Sequence, residues 1–230
     1  MSHTFIAISM ILLTIVIYLC MARLYLYLSF PFFLPVLTTT VLIVFLLCNF
    51  QISYNTYMIG GQWINYLLGP AVVSLAYPLY NHRYTLRKSV GAILLGVFAG
   101  LISGMVSGVI FAKIFGIERS LILSIIPKSI TAPVAIEITA GLGGTPSMTV
   151  VFVIVAGLTG AIFGPFILKL FRINTPLSKG ISLGSASHAL GISKASEYGE
   201  LSVSMGSVSM TLSAVLGSII GPFIVWFLHI

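Results

Sequence analysis

The chain carries little charge, contains no aspartate and has only two cysteines. Charged residues make up 7% of its 230 residues and hydrophobic residues 58%, whereas a soluble domain is about 25% charged. This composition excludes an ordinary soluble protein and predicts an integral membrane protein. Cys20 and Cys48 both fall in apolar stretches, so we expect packing residues and no disulfide framework.

Motifs for catalysis and metal binding are also scarce. The sequence has no His-Glu-x-x-His motif and no Cys/His metal spacing. Ser187 and His188 are adjacent, and neighbouring side chains on a regular helix point apart, so they do not form a nucleophile–base pair. We therefore predict no catalytic residue, no metal site and no cofactor, and an enzyme is the least favoured class.

The excess of basic residues has a membrane explanation. Eleven Lys and Arg against four Glu give a formal charge of +7, but these bases lie mostly between apolar runs. Bases in such places set the topology and contact anionic lipid headgroups. The expected partner is the lipid bilayer, with no nucleic acid.

The N-terminal half predicts about four membrane spans. Residues 4–22 are about long enough to cross the hydrocarbon core. They follow no positive charge and precede no cleavage pattern, so we expect a retained helix and not a signal peptide. The next segments are a span at 30–50 with Pro31 near its start, a polar loop at 51–62, a weaker span at 63–80 interrupted at Pro70, a basic loop at 81–88 and a long helix at 89–115.

Glycines recur at every fourth position in the long helix, as Gly96, Gly100, Gly104 and Gly108. This spacing places them on one face. It is the small-residue pattern that allows another helix to approach closely.

The second half of the chain contains one unit twice. Residues 160–167 (Gly-Ala-Ile-Phe-Gly-Pro-Phe-Ile) recur as residues 217–224 (Gly-Ser-Ile-Ile-Gly-Pro-Phe-Ile), an offset of 217 − 160 = 57. Duplicated units with Gly/Pro-interrupted segments are typical of transporter binding sites.

Upstream, the two copies align at a smaller offset. Lys128-Ser-Ile-Thr matches Lys179-Gly-Ile-Ser at 179 − 128 = 51, and a six-residue insertion around residues 194–199 accounts for the difference. At this offset Glu137 falls on His188, so matching positions carry titratable groups.

We predict an all-α polytopic membrane protein with a single domain over residues 1–230. Residues 1–116 form the N-terminal helices, a scaffold or oligomerisation region. Residues 117–171 and 175–230 form the two repeat units, each a broken or re-entrant hairpin followed by a full transmembrane helix.

Two topologies remain open. If the broken segments are re-entrant hairpins, Lys169 shares the inner side with the bases of residues 83–88, and the units form an inverted repeat. If they cross fully, the units are parallel and Lys169 falls outside. The basic residues favour hairpins, although Lys113 and Arg119 then lie on the unexpected side.

The two broken segments predict a small polar pocket. Pro133 and nearby glycines interrupt the first, and irregular backbone at membrane depth is allowed only where protein buries it or water lines it. Exposed helix ends attract anions, and Thr145 is a candidate N-cap before a proline. The hydroxyl donors are Ser129, Thr131 and Thr145 in the first segment, and Ser185 and Ser187 in the second.

Glu137 and His188 are candidates for proton coupling and substrate contact, because ionisable residues within membrane segments are costly and often functional. Histidine also titrates near neutrality. In the alternative, Glu137 merely neutralises His188 or Lys128 and holds the units together. Lys128 and Lys179, at the segment starts, either reach the interface or contact the ligand.

At these segments the chain resembles the LrgB/CidB family of bacterial membrane proteins. That family is named for antiholin-like and holin-like regulation of murein hydrolases, and its plant relatives are the plastidial glycolate/glycerate translocators. The motifs that carry the resemblance are residues 59–65, 76–80, 127–133, 142–145, 179–180, 184–191 and 197–210.

The resemblance implies a homodimer, a small LrgA/CidA-type membrane protein as partner, and pyruvate, glycolate or glycerate as substrate. It places substrate-binding positions at Ser129, Thr131, Glu137, Gly143, Gly144, Ser187, His188 and Gly191. One departure is Ser202, where relatives often carry an acid, and this weakens any charge-coupling role for residues 197–200.

The expected function is transport of small monocarboxylates by alternating access, in the bacterial cell membrane and linked to autolysis and programmed cell death. The alternative is an antiholin-like or holin-like modulator of murein hydrolases that acts through membrane partners without carrier activity.

Overall fold

A computed structural model describes residues 3–28, 33, 35–74, 76–81 and 83–230, and throughout these ranges it contains helices and no strands. The prediction of a helical membrane protein is confirmed. The helices in these ranges that are long and apolar enough to cross a membrane are His3–Leu28, Arg87–Ile114, Pro146–Leu170 and Glu200–Phe227.

The chain divides into two compact units, Met1–Ala71 and Val72–Ile230. In the first unit, α1 (His3–Leu28) packs against α2 (Pro35–Asn49) and α3 (Tyr54–Asn65). Thr14 and Tyr57 share a hydrogen bond of 3.0 Å between their hydroxyls. The division falls within α4 (Leu68–Ser74).

The N-terminal prediction of four spans needs correction. The expected polar loop at 51–62 is largely α3, and the expected span at 63–80 contains a turn at residues 66–67 between α3 and α4. Residue 75, between α4 and α5 (Ala76–Asn81), lies outside the described residues, as do residues 30–32 and 34 of the predicted span at 30–50, whose described helix is α2. Pro31 and His82 lie outside the described residues.

Three long helices form the frame of the second unit. They are α6 (Arg83–Ile114), α9 (Pro146–Leu170) and α11 (Glu200–Phe227). They match the long helix predicted at 89–115 and the full transmembrane helix predicted at the end of each repeat unit. The helix α6 extends into the predicted basic loop, with a non-helical residue at Ser89 (φ −125°, ψ 21°).

The segment before α9 is broken, as its proline predicted. It contains α7 (Arg119–Ile125), a short 3-10 helix (Ile126–Ser129) and α8 (Ala132–Leu142), with Ile130 and Thr131 extended between them. The chain then folds back on itself. The backbone N–H of Thr145, after α8, donates to Ser124 Oγ of α7 at 2.7 Å. We call residues 119–142 hairpin 1 and residues 128–131 its tip.

The segment before α11 is also broken. Within α10 (Pro176–Ala195), His188 has φ 43° and ψ −130° and separates two helical arms. The arms run back along each other, because Gly191 lies against the carbonyl group of Leu183 with no space for a side chain. We call residues 176–195 hairpin 2 and residues 185–188 its tip.

The two hairpins begin at opposite ends of α11. Ser202, near the start of α11, donates to the carbonyl oxygen of Pro176 at the start of hairpin 2 (2.8 Å). Arg119, at the start of hairpin 1, donates to the carbonyl oxygen of Ile230 beyond the other end of α11 (3.2 Å). The hairpins therefore extend toward each other from the two ends of the unit.

Lys113 and Arg119, the bases that fit the expected topology poorly, have a local role. Lys113 Nζ donates to the carbonyl oxygen of Leu228 (2.9 Å), and Arg119 binds the carbonyl of Ile230. Carbonyl groups at a helix C-terminus lack intrahelical partners, and basic side chains satisfy them.

Candidate functional site

The glycine face of α6 receives both hairpins. The contacts along it run in order from Gly96 to Ile181, Gly100 to Ser185, Gly104 to Ser129 and Gly108 to Lys128. The first two partners belong to hairpin 2 and the last two to hairpin 1. The predicted close approach at this face is confirmed, and the hairpin tips meet between Gly100 and Gly104.

The tips also fit against matching glycines of α9 and α11. Ser187 lies against Gly160, and Ile130 lies against Gly217, with no space for a side chain at either glycine. The glycines are related by 217 − 160 = 57 and their partners by 187 − 130 = 57. Each tip thus packs on the long helix of the other repeat unit, and one offset relates the two contacts.

This geometry corrects the alignment of the broken segments. At the offset of 57, Thr131 corresponds to His188, and both lie at the chain reversals. Lys128 is at the tip of hairpin 1. Lys179 lies in the first arm of hairpin 2, and its amine lies over the Tyr198 ring, 4.4 Å from the ring centroid. The insertion near residues 194–199 is not needed, and Glu137 does not occupy the position equivalent to His188.

His188 is buried and bonded to α9. It is 5% exposed, and Nε2 lies 3.0 Å from the carbonyl oxygen of Val153. Because a carbonyl can only accept, Nε2 carries the hydrogen and Nδ1 is the acceptor of the neutral ring. Gly157 leaves space for the ring, since a methyl group there would lie 2.7 Å from His188 Cε1.

Two buried hydroxyls near the tips lack hydrogen-bond partners within the described part of the chain. They belong to Ser187 and Ser213, each 1% exposed. Ser213 lies on α11 one turn from Gly217, which holds the tip of hairpin 1, and one turn from Ser209, which faces Gly184 of hairpin 2. Burying a hydroxyl group without a hydrogen-bond partner costs free energy. Polar groups with unused hydrogen-bonding capacity therefore lie where the hairpins meet, which is a reason to expect a ligand there.

Ser129, Ser185, Ser187 and His188 are therefore brought together at the tips, and Thr131 lies at the turn of hairpin 1. Gly191 has a packing role between the two arms of hairpin 2. These are six of the ten predicted substrate-binding positions.

The other four predicted positions lie elsewhere. Gly143, Gly144 and Thr145 lie at the base of hairpin 1, beyond the far end of α8, whose 11 residues extend about 16 Å. Gly143 ends α8 with φ 80°. Thr145 is the predicted N-cap residue of α9, although its side chain makes no capping bond.

Glu137 is exposed on α8. Over the described residues, the ion pair with N–O distance of 4.0 Å or less is Lys194–Glu197 (2.6 Å). The structure therefore does not support neutralisation of Glu137 by His188 or Lys128.

Buried hydroxyls fasten the base of hairpin 1 to α9. Thr149 Oγ1 lies 2.8 Å from Thr139 Oγ1 and donates to the backbone carbonyl of Ser124 at 3.1 Å. All three residues are fully buried. This hydroxyl cluster joins α7, α8 and α9. It could not be predicted from the sequence, because single Ser and Thr residues are common in apolar helices.

Residues 180–184, Gly-Ile-Ser-Leu-Gly, match the Gly-x-Ser-x-Gly motif of hydrolases. In hydrolases, Gly-x-Ser-x-Gly marks a sharp turn from a strand to a helix. Here the five residues lie in the first helical arm of α10. The match therefore does not form a nucleophile elbow.

Lys128 lies deeper in the fold than its sequence position predicts. The sequence places it at the start of the broken segment, whereas α7 begins nine residues earlier at Arg119. Its amine donates to the carbonyl oxygen of Gly104 in α6. An ungapped offset of 57 would have placed it at a hairpin tip.

Comparison with known proteins identifies close relatives. The sequence profile of the LrgB-like family matches residues 14–227. The chain is 62% identical over 230 residues to "Uncharacterized protein YxaC" of Bacillus subtilis (strain 168), covering 100% of both chains. It is 41% identical over 219 residues to "Holin-like protein CidB" of Staphylococcus aureus, covering 95% of this chain and 96% of that one. No solved structure matches the chain.

Proposed function

Because the chain belongs to the LrgB-like family of multi-pass membrane proteins, we propose that it carries small monocarboxylates across the membrane by alternating access around its two hairpins. Pyruvate, glycolate and glycerate are the proposed substrates. The single observation that carries this proposal is the meeting of the two hairpin tips at Gly100 and Gly104 of α6.

Opposed hairpins suit a carrier. They begin at opposite ends of α11, and each tip packs on the long helix of the other unit. An inverted repeat with broken helices near the bilayer centre is the arrangement found in many secondary transporters. Movement of one hairpin opens the polar centre to one side, and movement of the other hairpin opens it to the other side.

The polar groups at the tips suit a small anion. Ser129, Ser185 and Ser187 supply hydroxyl donors, and Lys128 supplies a cation. A carboxylate with a neighbouring oxo or hydroxy group offers several acceptors to such donors. His188 is the proposed proton-coupling residue, because histidine is the side chain that ordinarily exchanges a proton near neutral pH. Glu137, exposed on α8, is a secondary candidate for this role.

A second candidate function comes from the relatives. One relative is called "Holin-like protein CidB", and we propose on that basis that the chain takes part in regulating murein hydrolases and autolysis. The alternative to the carrier is a holin-like or antiholin-like modulator without transport. In either role, a homodimer and a small LrgA/CidA-type membrane protein are the proposed partners.

Uptake into proteoliposomes separates these functions. The purified protein is reconstituted, and entry of labelled pyruvate and glycolate is measured with and without a pH gradient. Saturable uptake without leakage of a trapped dye supports the carrier. Leakage of dye irrespective of its size supports a holin-like pore, and no uptake by folded protein contradicts the carrier.

A further inference from the structure

Lys128 lies far from both ends of the helix that it contacts. Its amine donates to the carbonyl oxygen of Gly104, and Gly104 is ten residues from the end of α6 at Ile114, about 15 Å along the axis. That distance is half of the roughly 30 Å thickness of a hydrocarbon core. The amine also lies beside Gly108, six residues or about 9 Å from Ile114, and its hydrogen bond holds it to the backbone of α6.

The amine has no acidic partner in the described part of the chain. All four glutamates lie in that part, and only Glu197 is within 4.0 Å of a basic group. A cation in a membrane segment normally pairs with an acid or contacts a functional ligand. A single backbone carbonyl leaves two of the three ammonium donors of Lys128 for other acceptors.

Two serine hydroxyls follow this amine along the same face of α6. Ser129 Oγ lies over Gly104, where a methyl group would be 3.2 Å away, and Ser185 Oγ lies over Gly100, where a methyl group would be 3.5 Å away. Gly100 and Gly104 are about one helical turn, or roughly 6 Å, apart. One hydroxyl comes from each hairpin, and the buried unpartnered hydroxyls of Ser187 and Ser213 lie on neighbouring helices.

We propose that Lys128 is the residue that binds the carboxylate of the transported acid, exchanging its bond to Gly104 for a bond to the substrate. This inference rests on the proposed carrier function. Ser129, the next residue, then binds the oxo or hydroxy oxygen of the same molecule, and Ser185 of the other hairpin lies one turn further along α6. Gly108 is required because any side chain there would displace the amine, since a methyl group would lie 2.7 Å from Nζ.

The test compares an acid with its neutral amide. Uptake of lactate and lactamide is measured in proteoliposomes for the wild type, Lys128→Met and the control Lys169→Met, whose lysine is exposed in the last turn of α9. Lys128→Met is expected to lower the ratio of lactate to lactamide uptake about 10- to 100-fold, the factor for losing a hydrogen bond to a charged group. Lys169→Met is expected to leave the ratio unchanged.

The two failures are distinguishable. If the wild type takes up lactate and Lys128→Met keeps the wild-type ratio, the role of Lys128 is overturned and the carrier function stands. If the wild type shows no saturable uptake of lactate, pyruvate, glycolate or glycerate, the carrier function fails.

A second measurement needs no variant. Lactate is expected to slow modification of Lys128 in the wild type by a small amine-directed reagent, measured by peptide mass spectrometry, and lactamide is not. Equal rates in lactate, lactamide and buffer overturn the proposal, even if Lys128→Met does not fold.

Discussion

The hydroxyl group of Ser187 lies against Gly160 so closely that the glycine has no space for any side chain. Ile130 lies in the same way against Gly217, 57 residues along the chain from Gly160. The first glycine of each copy of the Gly-x-x-x-Gly-Pro motif therefore contacts the tip of the hairpin from the other repeat unit.

Gly160→Ala is expected to destabilise the protein by about 1–3 kcal/mol, the usual cost of overpacking. The new methyl group collides with Ser187, so the double variant Gly160→Ala/Ser187→Gly is expected to recover most of the loss. Thermal unfolding in detergent measures both. Gly141→Ala is the matched control, because a methyl group at that position meets nothing within 4 Å; equal stability of Gly160→Ala and this control would refute the contact.

Thr149→Val is expected to cost about 1–3 kcal/mol, because it keeps the shape of the side chain but removes the hydroxyl that joins Thr139 to the Ser124 carbonyl. The midpoint of chemical unfolding reports this change. Thr159→Val is the control, since the hydroxyl of Thr159 bonds to Val155 in its own helix on an exposed face. Equal unfolding midpoints for the two variants would show that the hydroxyl cluster does not contribute to stability.

His188→Gly is expected to abolish the pH-gradient dependence of uptake while the protein remains folded. Glycine is the better substitution here because the backbone at this residue has φ 43°, which strains alanine. His188→Ala is therefore expected to lose uptake and some stability as well. Uptake is measured against the imposed pH gradient, and wild-type coupling in His188→Gly would leave the ring a purely structural role through Val153.

The two hairpins are expected to begin on opposite sides of the membrane. In a background without Cys20 and Cys48, cysteines at Ile117 and Phe227 should react with an impermeant thiol reagent from one side. Cysteines at Asn174 and Ser196 should react from the other side. The reason is that Arg119 contacts one end of α11 and Pro176 the other. Labelling of all four from the same side would show that the units are not inverted.

The long helices of the second unit could be predicted from sequence because they have 25 to 32 residues and each contains an apolar stretch long enough to cross a membrane. The breaks could be located because proline and glycine interrupt regular helix locally. The predicted span at 63–80 contains a turn at residues 66–67, and average hydropathy does not detect a turn of two residues.

The site was only half predictable for a different reason. Hydroxyl residues and His188 can be recognised from sequence as polar residues within apolar segments. Whether a residue lies at the tip or the base of a hairpin, however, depends on where the chain reverses. Ser124 and Thr145 meet across 21 residues of chain, a contact that no local pattern encodes. The sequence therefore assigns Gly143, Gly144 and Thr145 to the same pocket as Ser129. It also does not predict that Lys128 lies at the tip of hairpin 1.

The most direct test of alternating access uses cysteines at the two hairpin tips. Ser129→Cys and Ser185→Cys are placed singly in the background without Cys20 and Cys48 and are exposed to a small impermeant thiol reagent from each side of the membrane. The account predicts that each cysteine reacts from both sides, and that pyruvate slows both reactions. Reaction of each cysteine from only one side, with and without pyruvate, would contradict it.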